Sequence, residues 1–255
     1  MDKRKLLHNF GDDYKNEVLN LYEKYELSFD KDIPMFGTGF YPPNVWTFFK
    51  ESFSTKNFEI VHDGFFKESE RRMISFNNNY GIPFPYKVIK IDNVSKFNKL
   101  NHRDYLGAIL SLGIKRNKIG DLLVKEDSCY VPVCEEIADF ILSNLTSVGN
   151  VSCKVSLLDK ISEIPEYEFK EEIILIQSLR IDSVVSKLAK VSRGKAQVLI
   201  EEGKVLINYN RVREKSSDII EGTRVTIRGI GKFIIADIVG NSKSGKLKIL
   251  VKKYT

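Results

Sequence analysis

The sequence predicts an α+β protein of three consecutive domains, and three observations support this fold class. The chain has 255 residues, which exceeds one typical domain, and 42% of them are hydrophobic. Strand and helix patterns follow one another between residues 86 and 157 in the order β-α-β-β-α-β. The net charge becomes strongly positive from Arg180 onward, since the residues from there to the C-terminus include 17 Lys+Arg and only 7 Asp+Glu. The predicted boundaries are 1–80 for an N-terminal α/β domain, 81–165 for a middle domain, 166–179 for a linker and 180–255 for a basic C-terminal domain.

The N-terminal domain is predicted to combine two helices with two strands. The first helix spans residues 12–27, begins at Asp12 or Asp13, and places apolar and aromatic side chains three and four residues apart. Three prolines and two glycines then interrupt regular structure between residues 32 and 43. A short aromatic helix is predicted at Val45–Phe53, followed by strands within 58–66 and 70–76.

The middle domain is predicted to have a ferredoxin-like fold. The predicted elements are a strand at Tyr86–Ile91, a helix at His102–Leu112, strands at Gly120–Val124 and Cys129–Val133, a helix at Glu135–Leu145 and a strand at Val151–Leu157. This order is the split β-α-β arrangement that RNA-recognition domains share. The aromatic motif with which such domains stack bases is absent, and the third strand offers only Tyr130. The domain is therefore predicted either to be a scaffold or to bind RNA without that motif.

One loop of the middle domain is strongly basic. Residues 113–121, GIKRNKIGD, place Lys115, Arg116 and Lys118 close together. Such a loop is usually a solvated surface, but beside a basic domain it can contact a phosphate. We therefore treat these three residues as a candidate second RNA contact.

The C-terminal domain is predicted to begin with two short helices, each with one apolar face. These faces consist of Ile181, Val184, Val185 and Leu188 in the first helix and Ala196, Leu199 and Ile200 in the second. Ser192 is placed to cap the second helix, and Gly203 is a natural C′ residue after it. The strands predicted to follow are Lys204–Asn208 and Arg211–Val212 around a turn at Tyr209–Asn210, then Arg224–Ile227, Lys232–Ile238 and Lys246–Val251.

The second of these helices has two basic residues in its first turn, which is unusual. Arg193 and Lys195 occupy its first turn, where the helix dipole favours acidic residues. If this end of the helix faces water, the two basic residues are slightly unfavourable. If it faces a polyanion, the free backbone amides, the helix dipole and the arginine all attract phosphate. Together with the basic composition of the domain, this predicts a nucleic-acid partner, although a solvated lysine-rich surface has the same composition.

The sequence does not support a metal, a cofactor or a membrane. Cys129, Cys134 and Cys153 form no Cys-x-x-Cys pair and have no histidine nearby, which favours reduced thiols over disulfides or zinc. The GTG at 37–39 and the GIG at 229–231 are better explained as turns than as a cofactor cradle. No apolar run reaches the roughly 18 to 20 residues of a membrane span, and the N-terminus lacks a secretory pattern. We expect a cytoplasmic protein with no cofactor.

Residues 180–227 resemble the RNA-binding domain named after ribosomal protein S4. The hallmarks present are Arg180-Ile181-Asp182, Ser192-Arg193, Ala196-Gln197, Ile200 followed by Gly203, and a strand from Val205 to Asn208. The departures are Ile181 for leucine, Gly194 for a polar residue and Tyr209-Asn210 for an Asn-Gly turn. The resemblance implies an S4-like C-terminal domain that meets the backbone of structured RNA.

That resemblance also implies a role for individual residues. Arg180 and Arg193 would each bind a phosphate with two N–H groups. Asp182 would orient an arginine or cap the first helix, and Ser192 would hold the helix end open toward the phosphate. The other implied RNA-binding residues are Lys187, Lys195, Gln197, Lys204 and Arg211, and no catalytic residue is implied.

The chain as a whole is similar to the YlmH family, in which an N-terminal domain and an RNA-recognition-like domain precede the S4-like module. GFYPPNVWTFF at 39–49 resembles the family's Gly-Phe-Leu-x-Pro segment, with Tyr41 for leucine. DGFFKESERR at 63–72 resembles its Gly-Gly-Tyr-x-x-Ala-Glu-Arg segment, with Asp63 and Ser69 as departures, and IKRNKIGDLLV at 114–124 matches well. The resemblance implies binding to the large ribosomal subunit, rRNA and tRNA during rescue of stalled nascent chains, and an association with division proteins.

Two other functions stay open at this point. Pseudouridine synthases and some methyltransferases carry the same module as an appendage, but this chain has no second Arg-x-Asp segment and no glycine-rich loop for S-adenosylmethionine. The other alternative is an interaction protein of the division machinery whose basic surface is incidental. The sequence favours a non-enzymatic RNA-binding factor in ribosome-associated quality control.

Overall fold

The structure is a computed structural model that describes most of the chain. The described residues are 10, 15–95, 97–158, 165, 167–212, 214 and 217–254. The chain divides into two compact units, Met1–Glu166 and Tyr167–Thr255. None of the helices seen in the described residues is both long and apolar enough to cross a membrane.

The first unit begins with two helices and a small antiparallel sheet. Its elements are α1 (Lys15–Lys31), β1 (Met35–Phe36), α2 (Pro43–Phe53), β2 (Ile60–Asp63) and β3 (Met73–Phe76), with the strands in the order β1-β3-β2. The predicted spacing of the first helix is confirmed, because Val18, Leu21 and Tyr22 are buried in an aromatic core with Phe49 and Phe76. Its predicted start at Asp12 or Asp13 lies outside the described residues. β1 is an additional strand within the segment that was predicted to be irregular.

The ferredoxin-like arrangement of the middle domain is confirmed. Its elements are β4 (Tyr86–Asn93), α3 (His102–Ser111), β5 (Leu123–Lys125), β6 (Ser128–Cys134), α4 (Glu135–Asn144), β7 (Ser147–Val148) and β8 (Val151–Leu157). The strand order is β5-β6-β4-β8-β7, and the short β7 is an addition to the predicted set. Ile89 and Val131 of the two middle strands share a core with Ile109 and Ile141 of the helices. Alternate residues of these strands therefore face the helices, as their sequence pattern predicts.

The N-terminal and middle domains pack together into the first unit. The backbone N–H of Phe40 donates to the carbonyl oxygen of Asn117 at 2.7 Å, and the Asn117 side chain donates to Glu17 at 2.9 Å. The Asp121 carboxylate accepts a hydrogen bond from the backbone N–H of Arg71 at 3.0 Å. The basic loop of the middle domain therefore joins the two sequence-defined domains.

The second unit is a six-stranded antiparallel sheet with two helices. Its elements are β9 (Phe169–Ile176), α5 (Ile181–Leu188), α6 (Arg193–Glu201), β10 (Val205–Ile207), β11 (Asn210–Arg211), β12 (Arg224–Ile227), β13 (Gly231–Asn241) and β14 (Leu247–Tyr254). The strand order is β11-β10-β12-β13-β14-β9. Val184, Val185 and Ile200 of the helices share one core with Val225 and Ile249 of the sheet. The predicted apolar faces of both helices are thus buried.

The segment expected to be a linker, 166–179, contains a strand of the second unit. β9 pairs along its whole length with β14. Ile176 is buried in the core, Ile174 packs against it, and Glu171 forms an ion pair with Lys252 at 3.3 Å. The acidic segment is thus complementary to the lysine-rich last strand, and this long-range pairing corrects the expectation of a linker.

One tight turn lies a residue earlier than predicted. Ile207 is paired with Asn210, so the two turn residues are Asn208 and Tyr209 rather than Tyr209 and Asn210. Both have positive φ, 44° and 69°, as in a type I′ hairpin turn. The Asn208 side chain accepts a hydrogen bond from the backbone N–H of Arg224 at 2.9 Å, which holds Asn208 in this conformation.

Candidate RNA-binding site

The helices α5 and α6, together with their N-cap residues Arg180 and Ser192, carry six of the eight RNA-binding residues predicted in this domain. The hydroxyl of Ser192 accepts a hydrogen bond from the backbone N–H of Lys195 at 3.3 Å and caps α6. Ala196 and Ile200 bury the inner side of α6, and Gly203 follows its C-terminal cap with a φ of 66°. The predicted cap and the predicted C′ glycine are confirmed.

Asp182 lies at the centre of this site. Its side chain is fully buried and accepts hydrogen bonds from both Nε and Nη2 of Arg193, each at 2.9 Å. It also accepts hydrogen bonds from Arg180 at 3.3 and 3.4 Å and from the Gln197 amide at 3.2 Å. One carboxylate therefore orients three of the predicted RNA-binding residues, and it provides the negative charge that the first turn of α6 lacks.

These contacts keep Asp182 ionised. Burial alone would raise the pKa of Asp182, but the hydrogen bonds from Arg193, Arg180 and Gln197 outweigh it and hold the pKa far below its usual range. The same contact raises the pKa of Arg193, whose hydrogen bonds to Asp182 favour the charged guanidinium. Both partners are therefore charged throughout the physiological range.

Pairing with Asp182 leaves donors on the arginines that can reach a ligand. A guanidinium carries five N–H donors in a planar fork, and Arg193 uses two of them on Asp182. The side chains of Arg193 and Arg180 are 50% and 42% exposed. Each arginine can therefore be held by Asp182 from the inside while its outer N–H groups bind a phosphate oxygen.

The remaining basic residues of the site differ in how far they are already paired. Lys187 and Lys195 are exposed, and the described residues show no ion pair for either. Lys204 pairs with Glu202 at 2.7 Å, so part of its charge is compensated. Arg211 is exposed on β11. The free charge of the site is therefore concentrated on α5 and the first turn of α6.

In the candidate second RNA contact of the middle domain, two of the three basic residues are already engaged by other protein groups. Arg116 donates to the carbonyl oxygens of Ile119 at 2.6 Å and Gly120 at 3.1 Å. Lys118 donates to the carbonyl oxygen of Thr38 at 2.7 Å and pairs with Glu136 at 2.6 Å. Lys115 is exposed. The structure thus gives two of these three residues partners inside the first unit.

Strand β6, which corresponds to the predicted third strand, carries no exposed aromatic ring. Tyr130 is only 9% exposed, and the Lys90 ammonium lies 5.9 Å from its ring centroid. Lys90 also pairs with Asp92 at 2.9 Å. Tyr130 is therefore part of the packed sheet and is not placed to stack on a base.

Two of the three cysteines, Cys129 and Cys134, are buried, and all three thiols are free. Burial raises the pKa of the Cys134 thiol to about 11 and raises that of Cys129 as well, so neither is a thiolate at neutral pH. Among the described residues, no group of three or more His, Cys, Asp or Glu side chains is arranged to hold a metal ion.

Two family descriptions match the chain, one after the other. Residues 82–161 match the family described as "Putative RNA-binding domain in YlmH", and residues 179–226 match the S4 domain. The first match contains β4 to β8, and the second contains α5, α6, β10 and β11 and ends within β12. These matches identify an S4 domain in the second unit and a YlmH-type RNA-binding domain in the first.

Similarity to YlmH-type proteins extends over more of the chain than these two domains. The chain is 28% identical over 199 residues to the "Ribosome-associated protein quality control protein P2" of Bacillus subtilis (strain 168), covering 76% of this chain and 77% of that protein. It is also similar to a solved structure, the "Cell division protein ylmH from Streptococcus pneumoniae". That match has 22% identity and a TM-score of 0.49, and covers 61% of this chain and 97% of the other.

The S4 match leaves out the strands β9, β13 and β14 of the second unit, and residues next to two of these strands reach the basic helices. Gln177, directly after β9, and Lys246, directly before β14, line a cleft together with Lys187 and Arg193. Neither residue could be assigned to the site from the sequence, because Gln177 lies in the segment expected to be a linker and the position of β14 beside it was unknown. The apolar run at 173–176 was the available signal for that strand.

Proposed function

We propose that the protein is a non-enzymatic RNA-binding factor that acts on the large ribosomal subunit in quality control of stalled nascent chains. The observation that carries this proposal is the set of hydrogen bonds around Asp182, which holds Arg180 and Arg193 at the surface of a strongly basic unit. Phosphates of structured RNA are the natural partners of such a surface. The printed name of the Bacillus subtilis relative supports the ribosome and quality control as the setting. Such a role places the protein in the cytoplasm.

The proposed contacts divide into three kinds. Arg180 and Arg193 bind phosphate oxygens through their outer N–H groups, and Lys187 and Lys195 add charge beside them. Gln197 donates its amide to Asp182 and keeps its carbonyl oxygen for a ribose or base. Ser192, Lys204 and Arg211 form the edge of the surface, where Lys204 contributes less because Glu202 already pairs with it. rRNA and the tRNA of stalled complexes are the proposed RNA partners.

An RNA-modifying enzyme is a weaker proposal for a physical reason. The Arg-x-Asp segment of this chain contains Asp182, whose carboxylate is fully buried and engaged by three side chains. A catalytic carboxylate has to reach the base on which it acts, and Asp182 cannot do so without breaking these contacts. The segment therefore supports binding rather than chemistry.

The test compares large ribosomal subunits that retain peptidyl-tRNA with vacant large subunits. Purified protein is sedimented with each at equal concentration, and the Lys187→Ala/Lys195→Ala variant and a Lys56→Ala/Lys67→Ala variant are measured in parallel. All four lysines are exposed, and the control pair lies in the first unit. We expect stronger binding to subunits with peptidyl-tRNA, a marked loss for the first variant and wild-type binding for the control.

Two results would contradict the proposal. Equal absence of binding to both kinds of subunit would exclude the ribosomal role. Retention of a protein partner after complete nuclease treatment, with no subunit binding, would instead indicate an interaction protein outside translation.

A further inference from the structure

A small cleft extends the basic surface beyond the S4 domain. It has a volume of about 200 Å³ and lies between α5, the start of α6 and the ends of β9 and β14. The polar residues that line it are Gln177, Ser183, Ser186, Lys187, Arg193 and Lys246. Gln177 and Lys246 lie outside residues 179–226, which match the S4 domain. The pairing of Ile176 with Leu247 brings these two residues to the same end of the sheet.

The backbone of Lys246 is fixed by the turn that precedes it. The backbone N–H of Lys246 donates to the Ser242 hydroxyl at 3.0 Å, and the backbone N–H of Ser242 donates to the Lys246 carbonyl oxygen at 2.7 Å. Gly245 has a φ of 77°, which closes the turn directly before Lys246. The Lys246 side chain therefore starts from a defined position on the wall of the cleft.

Two of the three cationic side chains that line the cleft have no ion-pair partner among the described residues. Three cationic side chains, Lys187, Arg193 and Lys246, line it, and none of its described lining residues is acidic. The described residues show no ion pair for Lys187 or Lys246, while Arg193 is paired on its inner side with Asp182. Three like charges around one space favour an anion between them.

The size and polarity of the cleft fit a single phosphate group. Its volume is below the roughly 300 to 1,000 Å³ of typical small-molecule sites. The Ser183 hydroxyl and the Gln177 amide add hydrogen-bond donors, whereas the Ser186 hydroxyl already donates to the carbonyl oxygen of Val191 at 2.7 Å. A phosphate would thus meet three cations and two neutral donors.

We propose that this cleft binds one phosphate group of the RNA backbone and that Lys246 contacts it from outside the S4 domain. The proposal rests on the RNA-binding function proposed above and adds a contact to it. RNA that lies across α5 and α6 then continues over the end of β14. The RNA-binding surface is therefore longer than that of the S4 domain alone.

The test measures how binding to purified large ribosomal subunits depends on salt for the wild type, Lys246→Ala and Lys243→Ala. Lys243 is the matched control, because it is exposed in the same turn and does not line the cleft. Each lost phosphate contact reduces the slope of log K against log salt by about one. We expect that reduction for Lys246→Ala, none for Lys243→Ala, and recovery of the slope in Lys246→Arg. Equal melting temperatures for all four proteins would exclude a folding defect.

Two outcomes would overturn the proposal and leave the RNA-binding function standing. One is strong binding by the wild type with an unchanged slope for Lys246→Ala. The other is saturable, Lys246-dependent binding of inorganic phosphate that does not compete with the subunits, which would assign the cleft to a free anion. If the wild type itself shows no salt-dependent binding to subunits, the proposed function has failed and the cleft proposal fails with it.

Discussion

Asp182 and Arg193 are joined by two hydrogen bonds of 2.9 Å across the gap between α5 and α6. The carboxylate is fully buried, whereas the guanidinium is half exposed. This pair explains why an arginine can occupy the first turn of a helix, since its charge is balanced from the neighbouring helix. It also places a cationic fork at the surface in a fixed orientation.

Asp182→Asn keeps the size of the side chain but removes the charge that holds the three donors. We expect it to lower the free energy of unfolding of the second unit by about 2 kcal/mol, since hydrogen bonds to charged groups contribute roughly 1.5 to 3 kcal/mol. Hydrogen exchange of the α5 and α6 amides in increasing urea measures this change. Asp237→Asn is the control, because Asp237 is exposed on β13.

The same comparison has a defined pH dependence. The folded protein holds the pKa of Asp182 below its unfolded value, so the stabilisation is complete above about pH 4 and is lost as the pH falls further. Wild type and Asp182→Asn should therefore converge in stability in acid. Equal stability at neutral pH would contradict the role of Asp182.

The boundary of the second unit is tested by two fragments. We propose that residues 167–255 form the independently folding unit, because β9 pairs along its full length with β14 and Ile176 is buried in the core. Fragment 167–255 should unfold cooperatively on heating, as measured by circular dichroism. Fragment 180–255, which lacks β9, should melt at a clearly lower temperature or without cooperativity. Identical melting curves would show that β9 is dispensable.

Lys118 and Lys115 should respond differently to substitution. Lys118→Ala removes contacts to Thr38 and Glu136, and we expect it to lower the stability of the first unit by roughly 1 kcal/mol. Lys115→Ala should leave stability unchanged, because Lys115 is exposed. The fluorescence of Trp46, the single tryptophan, reports unfolding of this unit. A stable Lys118→Ala variant with reduced RNA affinity would instead support the candidate second RNA contact.

His62 should make the first unit sensitive to mild acid. Burial lowers the pKa of His62 to about 4, with further lowering from the charges of Arg72 and Lys50. The unfolded chain takes up a proton near pH 6.5, so stability should fall as the pH decreases from about 6.5 to about 4. His62→Gln should flatten this dependence in Trp46 fluorescence melts. A wild-type pH profile in the His62→Gln variant would disprove the assignment.

The parts of the structure that could be predicted are those with local causes. The helices α5 and α6 follow from apolar spacing, the Ser192 cap and Gly203, all within a few residues of one another. β9 could not be predicted in this way, because its partner β14 lies far away in the sequence and its acidic composition is typical of a linker. Its identity as a strand depends on that long-range pairing.

The roles of several site residues likewise depend on contacts that are distant in the sequence. The sequence left two roles open for Asp182, and the contacts with Arg180 and Arg193 show that it orients arginines. Arg116, Lys118 and Lys115 are alike in sequence, and only the contacts of the first two inside the folded unit distinguish them. Lys246 could not be connected with the site before the position of β14 was known.

The central claim is that the exposed face of α5 and the first turn of α6 binds RNA phosphates. The most direct measurement is the salt dependence of binding to isolated large ribosomal subunits for the wild type and Lys187→Ala/Lys195→Ala, which leaves the Asp182 contacts intact. If about six phosphates are bound, wild-type affinity should fall roughly a thousandfold between 50 and 200 mM salt, and the variant should have a slope smaller by about two. The same slope and affinity for both proteins would contradict the account.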